Sequence, residues 1–117
     1  MQIDELGEWR RTHFTSEIKP ELDGQKVIIF GWVKEIRDLG GIEFIILHDR
    51  EGTVQITIPK KKVPREVLEK ADLLQTQYSI GVKGIVKKTE LTPRKVEIIP
   101  EELKILGVAN HPLPLDV

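Results

Sequence analysis

Between Gly31 and Gln55 the chain places an arginine, an aromatic and an amide within reach of one another: Arg37, Phe44 and Gln55. Such a trio can hold an unstacked nucleic-acid base. The aromatic offers a stacking platform, the amide reads a base edge, and the arginine meets phosphate or base. Two turns punctuate the stretch, Arg37-Asp38-Leu39-Gly40-Gly41 and Asp49-Arg50-Glu51-Gly52, so its three apolar segments must run as a meander. Alternation in Thr53-Val54-Gln55-Ile56-Thr57-Ile58 turns Thr53, Gln55 and Thr57 outward. It does not assign a face to Phe44, which shares parity with Ile42, Ile46 and His48 while Ile45 and Leu47 are equally apolar. A core phenylalanine and an outward one are both compatible with that pattern. Arg37 falls at a strand end, where pairing with Asp38 would equally explain it, and Glu97 faces outward if Val96 and Ile98 face in. Trp32, at mid-strand, reads more simply as core than as a platform, and His48 as a rim residue.

The elements that must position these residues follow from periodicity. Residues 1–24 form an irregular or short-helical lead, closed by the Asp23-Gly24 turn. Strands are predicted at Val27–Ile36, Ile42–Leu47 and Thr53–Ile58. From Pro64 the apolar residues fall at 67, 68, 71 and 74, one stripe of a helix with proline in its first turn. Tyr78–Val86 returns to strand, Thr92-Pro93-Arg94 is a loop tip, and a fifth strand begins at Lys95 and extends toward Leu106. Three meandering strands, a helix and two more strands is the order of an all-β, five-stranded OB-fold Greek-key barrel with one helix between strands 3 and 4. Gly31, Gly81 and Gly84 within strands suit the coiling of a small barrel. An SH3-like barrel or a sandwich is the competitor, and the helix after strand three weighs against both. We expect an N-terminal extension over 1–24, the barrel over 25–108 and a linker-like tail over 109–117.

Composition narrows the function. The 117 residues suffice for one domain with a real core. No apolar run is long enough to span a membrane, and the acidic start Met1-Gln2-Ile3-Asp4-Glu5 is unlike a signal peptide. The absence of cysteine excludes disulfides and thiolate chemistry, and His13, His48 and His111 lack metal-ligand spacing. A single Met and a single Asn among many Lys and Glu suit a thermophile. The net charge of −1 argues against bulk coating of nucleic acid. The cations are nonetheless grouped, at Arg10-Arg11, Lys60-Lys61-Lys62, Lys87-Lys88 and Arg94-Lys95, which suits selective RNA contact through Lys60 and Arg94; solvated loop lysines are the plain alternative. No nucleophile–base spacing and no phosphate-binding glycine loop is present, so chemistry by this chain alone is not expected.

Arg11-Thr12-His13, Gly31-Trp32-Val33, the Arg37–Gly41 turn, Phe44, the Asp49–Gly52 turn with Val54-Gln55, and Pro112-Leu113-Pro114-Leu115-Asp116 together carry a resemblance. The chain resembles the N-terminal anticodon-binding domain of class II aspartyl-tRNA synthetases of the archaeal and eukaryotic kind, over nearly its whole length from about residue 10. The resemblance implies that Phe44 stacks on the central uracil of the tRNA-Asp anticodon and that Gln55 hydrogen-bonds that base. Arg37 and Glu97 would complete its recognition, with the loop from Thr92 to Lys95 near the flanking bases. Members vary at Lys34 and in the Thr92-Pro93-Arg94 loop, which leaves tRNA-Asp against tRNA-Asn open. Such synthetases continue into a catalytic domain that has no counterpart in this sequence. The expectation is therefore an excised domain or a free-standing relative, cytoplasmic and monomeric. The parent would be a homodimer, and ATP and Mg²⁺ would belong to its catalytic part, leaving this chain without a cofactor. The rival readings are a free-standing binder of single-stranded nucleic acid and a protein-interaction module docking on a synthetase.

Overall fold

A computed structural model describes residues 3–108 and residue 113. The expected tail, with His111 and most of the Pro-Leu-Pro-Leu-Asp sequence, therefore lies outside the described residues. Five strands close a barrel: β1 (Lys26–Asp38), β2 (Ile42–Asp49), β3 (Gly52–Pro59), β4 (Ser79–Lys88) and β5 (Val96–Gly107), with helix α1 (Arg65–Ala71) between β3 and β4. Their order round the barrel is β1-β2-β3-β5-β4, and β3 meets β5 in parallel at Ile56 and Ile98, which closes the ring. The predicted OB-fold architecture is borne out.

Aliphatic residues at alternate positions, nearly all β-branched, make the interior. Val27, Ile29 and Val33 of β1, Ile45 and Leu47 of β2, Ile56 and Ile58 of β3, Ile80 and Val82 of β4 and Ile98 of β5 are all fully buried. α1 closes one end with Val67 and Ala71. It is shorter than the apolar stripe suggests, because the chain leaves the helix after Ala71 in tight turns that still bury Leu74. β1 runs two residues further than predicted, so Arg37 and Asp38 are strand residues paired with Phe44 and Glu43. Gly40, at φ +90°, makes the return, and its N–H donates to Asp38 Oδ1 at 2.9 Å.

The N-terminal lead, with 3-10 turns at Thr15–Glu17 and Pro20–Leu22, is stitched to the barrel. Thr12 exchanges backbone and side-chain hydrogen bonds with Ile28, and Asp49 receives the N–H and hydroxyl of Thr15 at 2.9 and 2.7 Å. Ile18 is fully buried in the main core. Trp9 covers a second apolar cluster on the outside of β1, against Phe30 and Leu106, with Leu6, Ile28 and Trp32 at its edge. Lys83 and Lys104 each set an ammonium 4.8 Å from the Trp9 ring centre.

Candidate nucleic-acid interface

On the other outer face, β1, β2 and β3 remain open. Register builds it in rungs: Arg37, Phe44 and Thr57 stand abreast, and Glu35, Ile46 and Gln55 form the next rung. Phe44 lies half-buried on this outer face, while its neighbours Glu43 and Ile45 point inward. Its two alternatives are thereby resolved in favour of the surface. Ile42 and Ile46 flank it along β2, giving an aliphatic floor beside the ring. Glu97 of β5 approaches from the far side of Thr57.

Arg37, Phe44, Gln55 and Glu97 line one pocket of about 250 Å³, together with Thr57 and Leu91. Its volume falls below the roughly 300–1,000 Å³ of drug-sized sites, a scale suited to a single base. A hydrogen-bonded chain crosses its wall. Gln55 Nε2 donates to Thr57 Oγ1 at 3.0 Å, and Thr57 Oγ1 donates to Glu97 Oε1 at 2.6 Å. The pocket thus combines an aromatic face, a guanidinium, an amide and a carboxylate, which can stack a planar group and pair with its edge.

Arg94 and Lys60 are brought to the rims rather than into this pocket. The Arg94 guanidinium donates to the carbonyls of Thr53, Thr15 and Ile18, and more distantly to that of Ser16. It clamps the β4–β5 loop to β3 and to the N-terminal lead. Lys60 is bonded to both Asp38 oxygens, at 2.9 and 3.0 Å. That ammonium and the Gly40 N–H hold the Asp38 carboxyl below its ordinary range, and Asp38 in turn raises Lys60.

The sequence does not single out five of the residues that line the pocket: Glu35, Ile42, Ile46, Thr57 and Leu91. Alternation turns Thr57 outward and marks no role for it; only its hydrogen bond to Glu97, forty residues on, reveals one. Leu91 is 89% exposed at the loop tip, an apolar residue in the polar run Thr89-Glu90-Leu91-Thr92, and that mismatch was the available signal. Beyond Ile46 the same face continues to Trp32 and His48, whose rings lie 5.5 Å apart. Trp32 is half-buried at the edge of the outer cluster, outside the barrel core. Among the described residues no group of three His, Asp or Glu could hold a metal ion, and no helix is long and apolar enough to cross a membrane.

A closed five-stranded barrel with one open, aromatic-bearing face defines an oligonucleotide-binding class of domain. The family model for the tRNA anti-codon domain, an OB-fold nucleic acid binding domain, matches residues 27–106, and the chain belongs to that family. It is 54% identical over 108 residues to the aspartate–tRNA(Asp/Asn) ligase of Methanocaldococcus jannaschii, an alignment covering 92% of this chain and 25% of that protein. Among solved structures, asparaginyl-tRNA synthetase from Pyrococcus horikoshii complexed with asparaginyl-adenylate superimposes with a TM-score of 0.76 at 36% identity, over 92% of this chain and 25% of that one. OBody AM3L09 bound to hen egg-white lysozyme gives a TM-score of 0.80 at 33% identity, over 86% of this chain and 98% of that one. The resemblance to the anticodon-binding domain of archaeal-type aspartyl-tRNA synthetases is borne out, and the chain spans about a quarter of the length of the curated relatives it matches.

Proposed function

We propose that this chain binds the anticodon loop of tRNA-Asp as the recognition domain of an aspartate–tRNA ligase, and does no chemistry itself. The observation that carries the reading is the convergence of Arg37, Phe44, Gln55 and Glu97 on one base-sized pocket of the open face. The central uracil stacks on Phe44, and Gln55, Glu97 and Arg37 pair with its edge. Asp and Asn codons share a middle adenine, so a pocket reading only the central base accepts both anticodons. Separation of the two then falls to flanking contacts near Lys34 and the Thr92–Arg94 loop. Lys60 and Arg94 serve this site by holding the two loops that border it. Lys61 and Lys62, exposed beside the Gly40–Gly41 turn, are placed to meet phosphate.

Aminoacylation, with its ATP and Mg²⁺, is assigned to the remaining part of the ligase, which as a whole would act in the cytoplasm as a homodimer. The isolated domain would be a monomer. Stacking contributes about 1–3 kcal/mol per base, so one domain reading a few bases should bind at roughly micromolar Kd. The test is titration of wild type, Phe44→Ala and Gln55→Ala against anticodon stem-loops with a central U or a central C. Wild type should prefer U, Phe44→Ala should lose roughly 5- to 150-fold in affinity, and Gln55→Ala should lose most of the preference. Equal binding to both loops and to an unstructured oligonucleotide would favour a non-specific single-strand binder instead.

A further inference from the structure

We propose that Thr57 is a positioning residue which sets the donor–acceptor polarity of the base pocket, and so its choice of uracil over cytosine. This rests on the anticodon reading given above.

Thr57 is only 4% exposed although it stands on the outer face of β3, because Gln55 and Glu97 close over it. An ionised carboxylate only accepts hydrogen bonds, and a hydroxyl has one proton to give. At 2.6 Å from Glu97 Oε1, Thr57 gives that proton to the carboxylate, a charge-assisted bond. Its oxygen can then only accept from Gln55. The amide of Gln55 is therefore obliged to turn its NH₂ toward Thr57, 3.0 Å away, and to turn Oε1 away from it.

An untethered glutamine flips its amide and can show a donor or an acceptor to a ligand. Tethered in this way, Gln55 holds its Oε1 in place as an acceptor with its second N–H beside it, Glu97 keeps its second oxygen as another acceptor, and Arg37 is donor only. Uracil suits that array, since its central N3–H needs an acceptor and its carbonyls need donors. Cytosine has a lone pair at N3, which would face an acceptor with nothing between them. A mismatch of that kind leaves buried polar groups unpaired, which is how polar pockets reject close analogues. Removing the Thr57 hydroxyl frees Gln55 to flip and to donate to cytosine N3. The U-over-C preference should then shrink while stacking on Phe44 persists.

The experiment compares wild type, Thr57→Val and Thr57→Ser on the same two stem-loops at one salt concentration. Valine keeps the β-branched shape and serine keeps the hydroxyl. We expect Thr57→Val to cut the U:C affinity ratio by about tenfold, the equivalent of about 1.4 kcal/mol, chiefly by gaining affinity for C. Thr57→Ser should stay within about twofold of wild type. A Val variant that keeps the full ratio overturns the proposal, as does one that weakens both loops in step, the signature of a purely structural role. Should wild type itself show no preference, the anticodon reading falls as well; a wild-type preference untouched in the Val variant removes Thr57 alone. A measurement on the unmutated protein is independent of variant folding. By NMR the Gln55 side-chain amide protons should exchange with solvent more slowly than those of the exposed Gln25, and exchange as fast as that of Gln25 would overturn the lock.

Discussion

The barrel has two apolar outer faces, and they are treated in opposite ways. On the β1–β4 side, Phe30 and Ile28 lie beneath Trp9 and Leu6 of the N-terminal segment, which is fastened by Asp4 to Ile105 and by Thr12 to Ile28. Gly81 leaves room for that cover, since a Cβ there would sit 2.9 Å from Phe30 and 3.1 Å from Trp9. On the β1–β3 side, Ile42, Phe44 and Ile46 are also apolar but only partly buried, and they line an open pocket bordered by Leu91 and Glu97. Removing apolar area from water is favourable by about 25 cal/mol per Å², so a face left open forgoes stability. The polar groups there are held in order by one another, as Gln55, Thr57 and Glu97 are. One face is covered in folding, and the other is the one proposed to meet the anticodon.

The strongest way to break that contrast is to truncate one aromatic on each side. Trp9→Ala should cost about 3–5 kcal/mol, as for other buried tryptophans, read by denaturant or thermal unfolding. Stem-loop affinity, measured where the variant is still folded, should hold within about twofold. Phe44→Ala should do the reverse, shifting stability by less than about 1 kcal/mol while losing the stem-loop affinity given above. If Trp9→Ala weakens RNA binding as much as Phe44→Ala does, the covered face is part of the interface and the division fails.

A smaller effect tests the border between the two. Arg94 is a cation at the rim of the binding face whose donors are spent on protein carbonyls. Arg94→Gln should lower stability by about 1.5–3 kcal/mol, the scale of hydrogen bonds to a charged group. It should weaken RNA binding without altering its salt dependence. A true phosphate contact would instead reduce the slope of log K against log salt by about 0.7. Affinity measured at four or five salt concentrations separates the two outcomes and decides to which face Arg94 belongs.

Most of the scaffold was legible because β-branched alternation and turn chemistry are local. The meander, the helix after β3 and the Gly40–Gly41 return could all be read from neighbours a few residues apart. Phe44 could not be assigned that way. Its rung inverts the usual pattern, with a carboxylate at 43 pointing in and an aromatic at 44 pointing out. The convergence of Glu97 with Gln55 was equally non-local, since it depends on barrel closure between β3 and β5. Charge clustering marks Arg94 and Lys60 as cations at the edge of the fold, but the carbonyls and the carboxylate that occupy them come from distant segments and leave no local sign. The N-terminal lead lacked periodicity and so gave no sign that Ile18 would sit in the core or that Trp9 would roof β1.

The inverted rung has its own consequence, the smallest effect considered and the one closest to the contrast between faces. Glu43 is 4% exposed, and its Oε1 has no hydrogen-bond partner. Burial pushes its carboxyl up from the ordinary value, and the Asp38 charge adds to this; Lys60 opposes it, and Asp72 contributes a further rise. A carboxyl raised in the folded state binds its proton more tightly there than in the unfolded chain. Its contribution is therefore neutral below the unfolded value and becomes destabilising as pH climbs from that value through the raised one. Glu43→Gln removes the titration while keeping the shape. Unfolding free energy followed from pH 4 to pH 8 should show the variant gaining on wild type as pH rises, by about 1 kcal/mol at neutrality, with little difference at pH 4. Stem-loop affinity at pH 7 should be unchanged, since Glu43 faces the interior and Phe44 the ligand. A pH-independent difference would mean that Glu43 meets water or a cation in the folded protein, and that β2 does not separate interior from interface at this rung.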